Sequence, residues 1–118
     1  MNFISGENKG FRMKFDNGFA ISVQWGTENY CEHRNLDIKS TAENPKEHNR
    51  WESRNAEIAV FNDKGIVPVG EHDDVIGWLT PNEVAIAIEI VSGYQGQTMT
   101  GLTGEKYIKD MFKKYSIK

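Results

Sequence analysis

Apolar residues fall on alternate positions through residues 11–25, FRMKFDNGFAISVQW, on both sides of Asp16-Asn17-Gly18. This is the period-two pattern of strands with one buried face, and it predicts a β-hairpin. The pattern also predicts the register, because directly opposed residues of an antiparallel pair point to the same face. A two-residue Asn17-Gly18 turn would oppose Phe15 to Ala20 and Met13 to Ser22, mixing the faces. A three-residue loop, Asp16 to Gly18, opposes Phe15 to Phe19, Met13 to Ile21 and Phe11 to Val23. It also puts Gly18 where such a loop needs a left-handed residue. The opposite face, with Arg12, Lys14, Ala20, Ser22 and Gln24, is then wet or lightly covered.

A second hairpin is predicted over residues 54–69. Ala56, Ile58 and Val60 alternate, and the turn Asn62-Asp63-Lys64-Gly65 pairs Val60 with Val67 and Ile58 with Val69. Pro68 cannot donate to a ladder, which places this strand at an edge. Residues 75–79, VIGWL, lead into the clearest helix start in the chain. Thr80 is the N-cap, Pro81 the first helical residue and Glu83 the capping-box glutamate. The run VAIAIEIV that follows also alternates like a strand. The start signals, the interleaved alanines and the stop at Ser92-Gly93 decide for a helix over residues 81–92. Its apolar residues cover most of the circumference, so it is expected to be buried on more than one side. Residues 105–115 form an amphipathic helix with Tyr107, Ile108, Met111 and Phe112 inward, and Thr103 is its expected cap. The whole reads as one α+β domain over residues 1–118: an antiparallel sheet of two hairpins with two C-terminal helices packed on one face. Residues 1–10 are a loose arm with an edge contact open to Phe3 and Ile4. Residues 26–53 are a long polar loop, and residues 93–104 a Gly/Thr-rich connection.

Charge and cysteine content narrow the function classes. Fourteen Lys and Arg against seventeen Asp and Glu leave a net charge of −3, which argues against nucleic acid or an anionic membrane as partner. One cysteine, Cys31, allows no intrachain disulfide and fits a reducing, cytoplasmic setting. The first ten residues carry neither a signal-peptide nor an anchor pattern.

The candidate chemistry concentrates in the long loop. Tyr30-Cys31-Glu32-His33-Arg34 opens it and residues 48–54, HNRWESR, close it. Both ends join strands of one sheet, so they are expected to converge at a rim. Arginine forks bind phosphate or carboxylate, and tyrosine or tryptophan can stack on a base. Tyr30, His33, Arg34, Arg50, Trp51 and Arg54 are accordingly the candidate contacts for a partner protein or an anionic, nucleotide-like ligand. The inert alternative has Arg34, Arg50 and Arg54 paired with Glu32, Glu52 and Glu57 on a solvated rim. A hydrolase would use Cys31 with His33 or His48, and a metal site would use Cys31, His33, His48 and His72. Cys-x-His lacks the paired spacing of common zinc sites, and a lone cysteine is more often a small packed side chain. No cofactor is implied. Residues 93–104 lack the Gly-Lys-Ser/Thr of a phosphate loop, and Glu105 would repel phosphate there. The lysine face of the last helix reads as solvated.

The stretches GFAISVQWGTENYCEHRN, WESRNAEIAVFNDKG and GWLTPNEVA together resemble small proteins of unassigned function encoded by tailed bacteriophages and prophages. The likeness covers about residues 10–92 and carries no catalytic residues with it. It implies an accessory protein of a bacterial cytoplasm, of the kind that binds and inhibits host machinery. The reading is therefore a non-enzymatic binding module acting through residues 26–54. The alternatives are the Cys/His or metal-dependent hydrolase and a structural or virion-associated oligomer held through the helix 81–92.

Overall fold

The computed structural model of the chain describes residues 1–5, 9–26, 28–32, 52–71, 73–96 and 104–117. Within them lie strands β1 (Asn2–Ser5), β2 (Gly10–Lys14), β3 (Ala20–Gln24), β4 (Ala56–Asn62), β5 (Gly65–Val67) and β6 (Ile76–Leu79). Two helices follow, α1 (Pro81–Gly93) and α2 (Gly104–Lys114). The architecture is α+β, as the sequence pattern predicts.

The first hairpin forms in the register that keeps its apolar face whole, with Phe11 opposite Val23 and Met13 opposite Ile21. Phe15 N–H donates to Phe19 O at 2.9 Å, closing a three-residue loop with Gly18 at φ 89°. All strand pairs are antiparallel, in the order β1-β2-β3-β4, and both β5 and β6 line the far edge of β4. β5 takes the end of β4, with Val60 opposite Val67, and β6 takes its start, with Ile58 opposite Ile76. One row of opposed residues, Phe3-Met13-Ile21-Val60-Val67, crosses the whole sheet on its apolar face.

Three expectations need correction. The segment expected to be a loose arm contains β1, paired along β2 with Phe3 opposite Met13 and Ile4 opposite Arg12. Without β1, the outward main-chain groups of β2 would be unpaired, and residues 2–5 supply their complement. Val69 does not reach Ile58: Pro68 has no N–H for the ladder, and Val69 N–H turns back to Val67 O at 2.8 Å. The stretch leading into α1 is itself a strand, and it supplies Ile76 to the position expected for Val69. β6 is irregular, with a register shift against Ala56 and Ile58 and a left-handed Trp78 at φ 59°.

The capping box at Thr80 is complete. Thr80 Oγ1 accepts from Glu83 N–H at 3.3 Å, and Glu83 Oε1 accepts from Thr80 N–H at 3.0 Å. α1 packs on β3, β4 and β6 with one side and on α2 with another. Val84, Ala87, Ile90 and Val91 are buried in those contacts. α2 adds Ile108 and Phe112 to the same core, while Tyr107 and Met111 pack at its border. Thr103, its expected cap, lies outside the described residues.

The far end of α1 is closed from an unexpected place. Asn17, in the hairpin turn, donates its Nδ2 to Val91 O at 2.7 Å, to Tyr94 O at 2.8 Å and to Ser92 O at 3.4 Å. Its Oδ1 accepts from Phe19 N–H at 3.0 Å. One amide thus shapes the hairpin loop and satisfies the carbonyls that a helix end leaves unpaired. On the opposite sheet face Ala20 and Ala59 are buried, and the Arg12 guanidinium lies 4.1 Å over the ring of Phe61. That face is more covered than its polar pattern suggests, because the Arg12 stem and charge shelter the aromatic ring beside the small residues.

Candidate functional site

The two ends of the long polar segment converge. After Trp25 the chain turns at Gly26, whose N–H donates to Asn29 Oδ1 at 2.8 Å. Glu57, on β4, then holds the turn with both carboxylate oxygens. Oε1 accepts from Asn29 Nδ2 at 3.2 Å and Oε2 from Tyr30 N–H at 2.9 Å. Tyr30 O in turn accepts Trp78 N–H at 2.8 Å, so the turn is stitched to β6 as well as to β4. Gly77 makes this approach feasible, because a Cβ there would lie 2.3 Å from Tyr30 Cβ. The exit meets the entry one step further on. Glu32 N–H donates to Asn55 Oδ1 at 2.7 Å, and Arg54 N–H donates to Glu32 Oε1 at 3.0 Å.

Of the six candidate contacts, Tyr30 and Arg54 stand on these joined ends, and His33, Arg34, Arg50 and Trp51 lie outside the described residues. Tyr30 is half-buried, and its main chain serves the fold. Arg54 is 91% exposed in its side chain, with Nε 3.8 Å from Glu32 Oε2. That contact matches part of the inert pairing considered for this rim. Glu57 instead accepts hydrogen bonds from the turn.

Cys31 is buried, its thiol directed at Gly26 O at 3.4 Å. Such a packed thiol is a small core side chain in its surroundings. His33, His48 and His72, the other residues considered for a hydrolase or metal site, lie outside the described residues. Among the described residues no group of three His, Cys, Asp or Glu side chains could hold a metal ion. No helix among them is long and apolar enough to cross a membrane.

Beside the joined ends is a recess that the linear pattern does not reveal. It measures about 300 Å³, is predominantly apolar, and is walled by Phe11, Val23 and Trp25 from the hairpin, Ala56 and Leu79 from β4 and β6, and Pro81, Val84, Ala85 and Ile88 from α1. Ser53, Arg54 and Asn55 form its rim. Phe11 and Trp25 meet edge to face with ring centroids 6.1 Å apart, and both are only half-buried. The cause is geometric: α1 packs on β3, β4 and β6, so among the described elements neither helix reaches the β2 end of the apolar face. A shallow polar depression continues outward over Trp25, Glu32, Glu52, Ser53 and Arg54. A larger groove of about 610 Å³ lies between residues 68–71 and α2. Its charges are Glu71, Glu105 and Asp110 against Lys106, Lys109 and Lys113, a solvated and nearly neutral lining.

The fold and this recess define a small α+β domain with an apolar hollow opening beside the joined residues 28–32 and 52–55. No family model, curated protein or solved structure matches the chain significantly.

Proposed function

We propose that the protein is a non-enzymatic binding module that takes an apolar side chain of a partner protein into the recess beside Phe11 and Trp25. The observation that carries this reading is the apolar recess itself, with the edge-to-face rings of Phe11 and Trp25 on its wall and the joined loop ends at its rim. Aromatic residues in a desolvated hollow with a polar border are the usual anchor of a protein interface. Arg54 Nε lies 3.8 Å from Glu32 Oε2, and Glu52 lines the same depression, a balance of charge that favours a protein over an anionic small molecule as occupant. The likeness to phage-encoded proteins makes a bacterial host protein the partner of this reading, bound as an accessory factor or inhibitor.

Ala85 lines the recess yet is exposed on α1, so Ala85→Glu would narrow the mouth with a good helix former and spare the core. The experiment captures the partner from bacterial lysate and titrates the purified partner against both forms. Affinity should fall on the order of tenfold or more in Ala85→Glu at an unchanged unfolding midpoint. Equal affinity of the two forms would refute the recess as the binding surface.

A further inference from the structure

A second surface, distinct from the recess, is open at the opposite side of the sheet. β1 ends the sheet, and all four of its residues are exposed, Phe3 at 76%. The hydrogen-bond alternation shows which main-chain groups face outward. In the first hairpin Phe15 N–H donates to Phe19 O and Trp25 N–H to Lys9 O, each at 2.9 Å. Odd-numbered residues of β2 are therefore bonded to β3, and Arg12 and Lys14 turn their groups toward β1. Arg12 opposes Ile4 and Lys14 opposes Asn2, so Ile4 and Asn2 bond within the sheet. The N–H and C=O of Phe3 and Ser5 point away from it.

The two edges are treated differently. On the far side Pro68 ends β5, the left-handed Trp78 distorts β6, and Tyr30 O already accepts the Trp78 N–H. Proline, distortion and coverage are the devices that stop a sheet from adding strands. β1, with sequence NFIS, has no charge and no proline, and its pairing with β2 is regular. The helices pack chiefly on β3, β4 and β6, and among the described residues no helix or strand other than β2 packs against β1.

We propose that β1 pairs with β1 of a second copy of this chain, antiparallel about a two-fold axis at Phe3. Opposed residues must share a face, so a strand pairing with itself sets odd positions against odd and even against even. With the axis at Phe3, each Phe3 exchanges two main-chain hydrogen bonds with its mate, and the rings meet on the apolar face. An axis at Ile4 also preserves the faces, but it sets Phe3 against serine and forgoes the aromatic contact that stabilises cross-strand pairs. An uncharged strand meets no like-charge repulsion in its own copy. The result is one sheet continuous through both copies.

The test measures mass against concentration by sedimentation for the wild type and for Phe3→Pro and Phe3→Ala. Phe3→Pro removes the ring and the outward N–H but no N–H bonded to β2, so β1 remains paired to β2, and the dimer dissociation constant should rise on the order of tenfold or more. Phe3→Ala keeps that N–H and should weaken the dimer less. Phe3→Cys should form an intermolecular disulfide on mild oxidation, since directly opposed strand residues lie about 5.5 Å apart at Cα. The buried Cys31 does not compete. A wild-type monomer at high micromolar concentration, or preferential cross-linking of Ile4→Cys, would overturn the proposal. Binding of a foreign extended peptide to β1 with no self-association would overturn it equally.

Discussion

Gly18 and Gly77 are both required, for different physical reasons. Gly18 sits at φ 89° with open space around it, so an added Cβ meets only the intrinsic cost of a left-handed backbone. Gly18→Ala should destabilise by about 1 kcal/mol. At Gly77 the added Cβ would press on Tyr30 Cβ at 2.3 Å and Tyr30 O at 2.9 Å, neither of which can swing aside. Gly77→Ala should cost about 2 to 4 kcal/mol and loosen the turn at residues 28–32. Denaturant unfolding of the two variants checks the order, and equal costs would contradict the docking described for Tyr30. Gly18 was readable in the sequence, because a three-residue hairpin loop demands it. Gly77 was not, because its obstacle lies 47 positions away in the chain, across a contact that no local pattern encodes.

Among the elements, α1 shows what local signals can and cannot say. Its start was legible in Thr80-Pro81-Asn82-Glu83, since a capping box is a short-range arrangement. Its end is completed by Asn17 from a hairpin more than seventy positions earlier. Asn17→Ala should cost about 2 kcal/mol, through carbonyls left without their donor. Asn17→Asp should cost more than Asn17→Ala, because a carboxylate would face those carbonyls at the negative end of the helix dipole. Thermal unfolding of the pair reads the sign, and an aspartate variant as stable as wild type would refute the capping role. β6 escaped the pattern because its register shift and the left-handed Trp78 break the period of two. β1 is not legible as a strand because four uncharged residues show too few alternations to announce one.

For the whole molecule, the net charge of −3 opposes binding to polyanions, and two lysines of α2 have acidic neighbours. Lys106 is paired with Asp110 at 2.9 Å, and Lys109 shares its groove with Glu71 and Glu105. The protein should pass a heparin column unretained at physiological salt, and retention reversed by salt would indicate a basic surface. The convergence of the loop ends was legible, since both adjoin strands of one sheet. The recess was not, because it arises from a mismatch between the breadth of the sheet and the reach of α1, a property of layers rather than of sequence windows.

The doubled role of Asn17 also gives the molecule a chemical clock. In an Asn-Gly step the glycine leaves its own nitrogen unshielded, and that nitrogen can attack the asparagine amide, expel ammonia and close a succinimide. Hydrolysis then yields aspartate or isoaspartate. Here the amide is held by the carbonyls of Val91 and Ser92 in α1 and of Tyr94 just beyond it, so the folded state restrains the attack and each opening of the hairpin releases it. Once the step occurs, the donor that joined hairpin to helix becomes a negative charge, added to a net of −3 at the helix end least able to accept one. Chemical ageing at this one amide would therefore weaken the joint between the hairpin turn and the end of α1, while the shared core still holds the layers together.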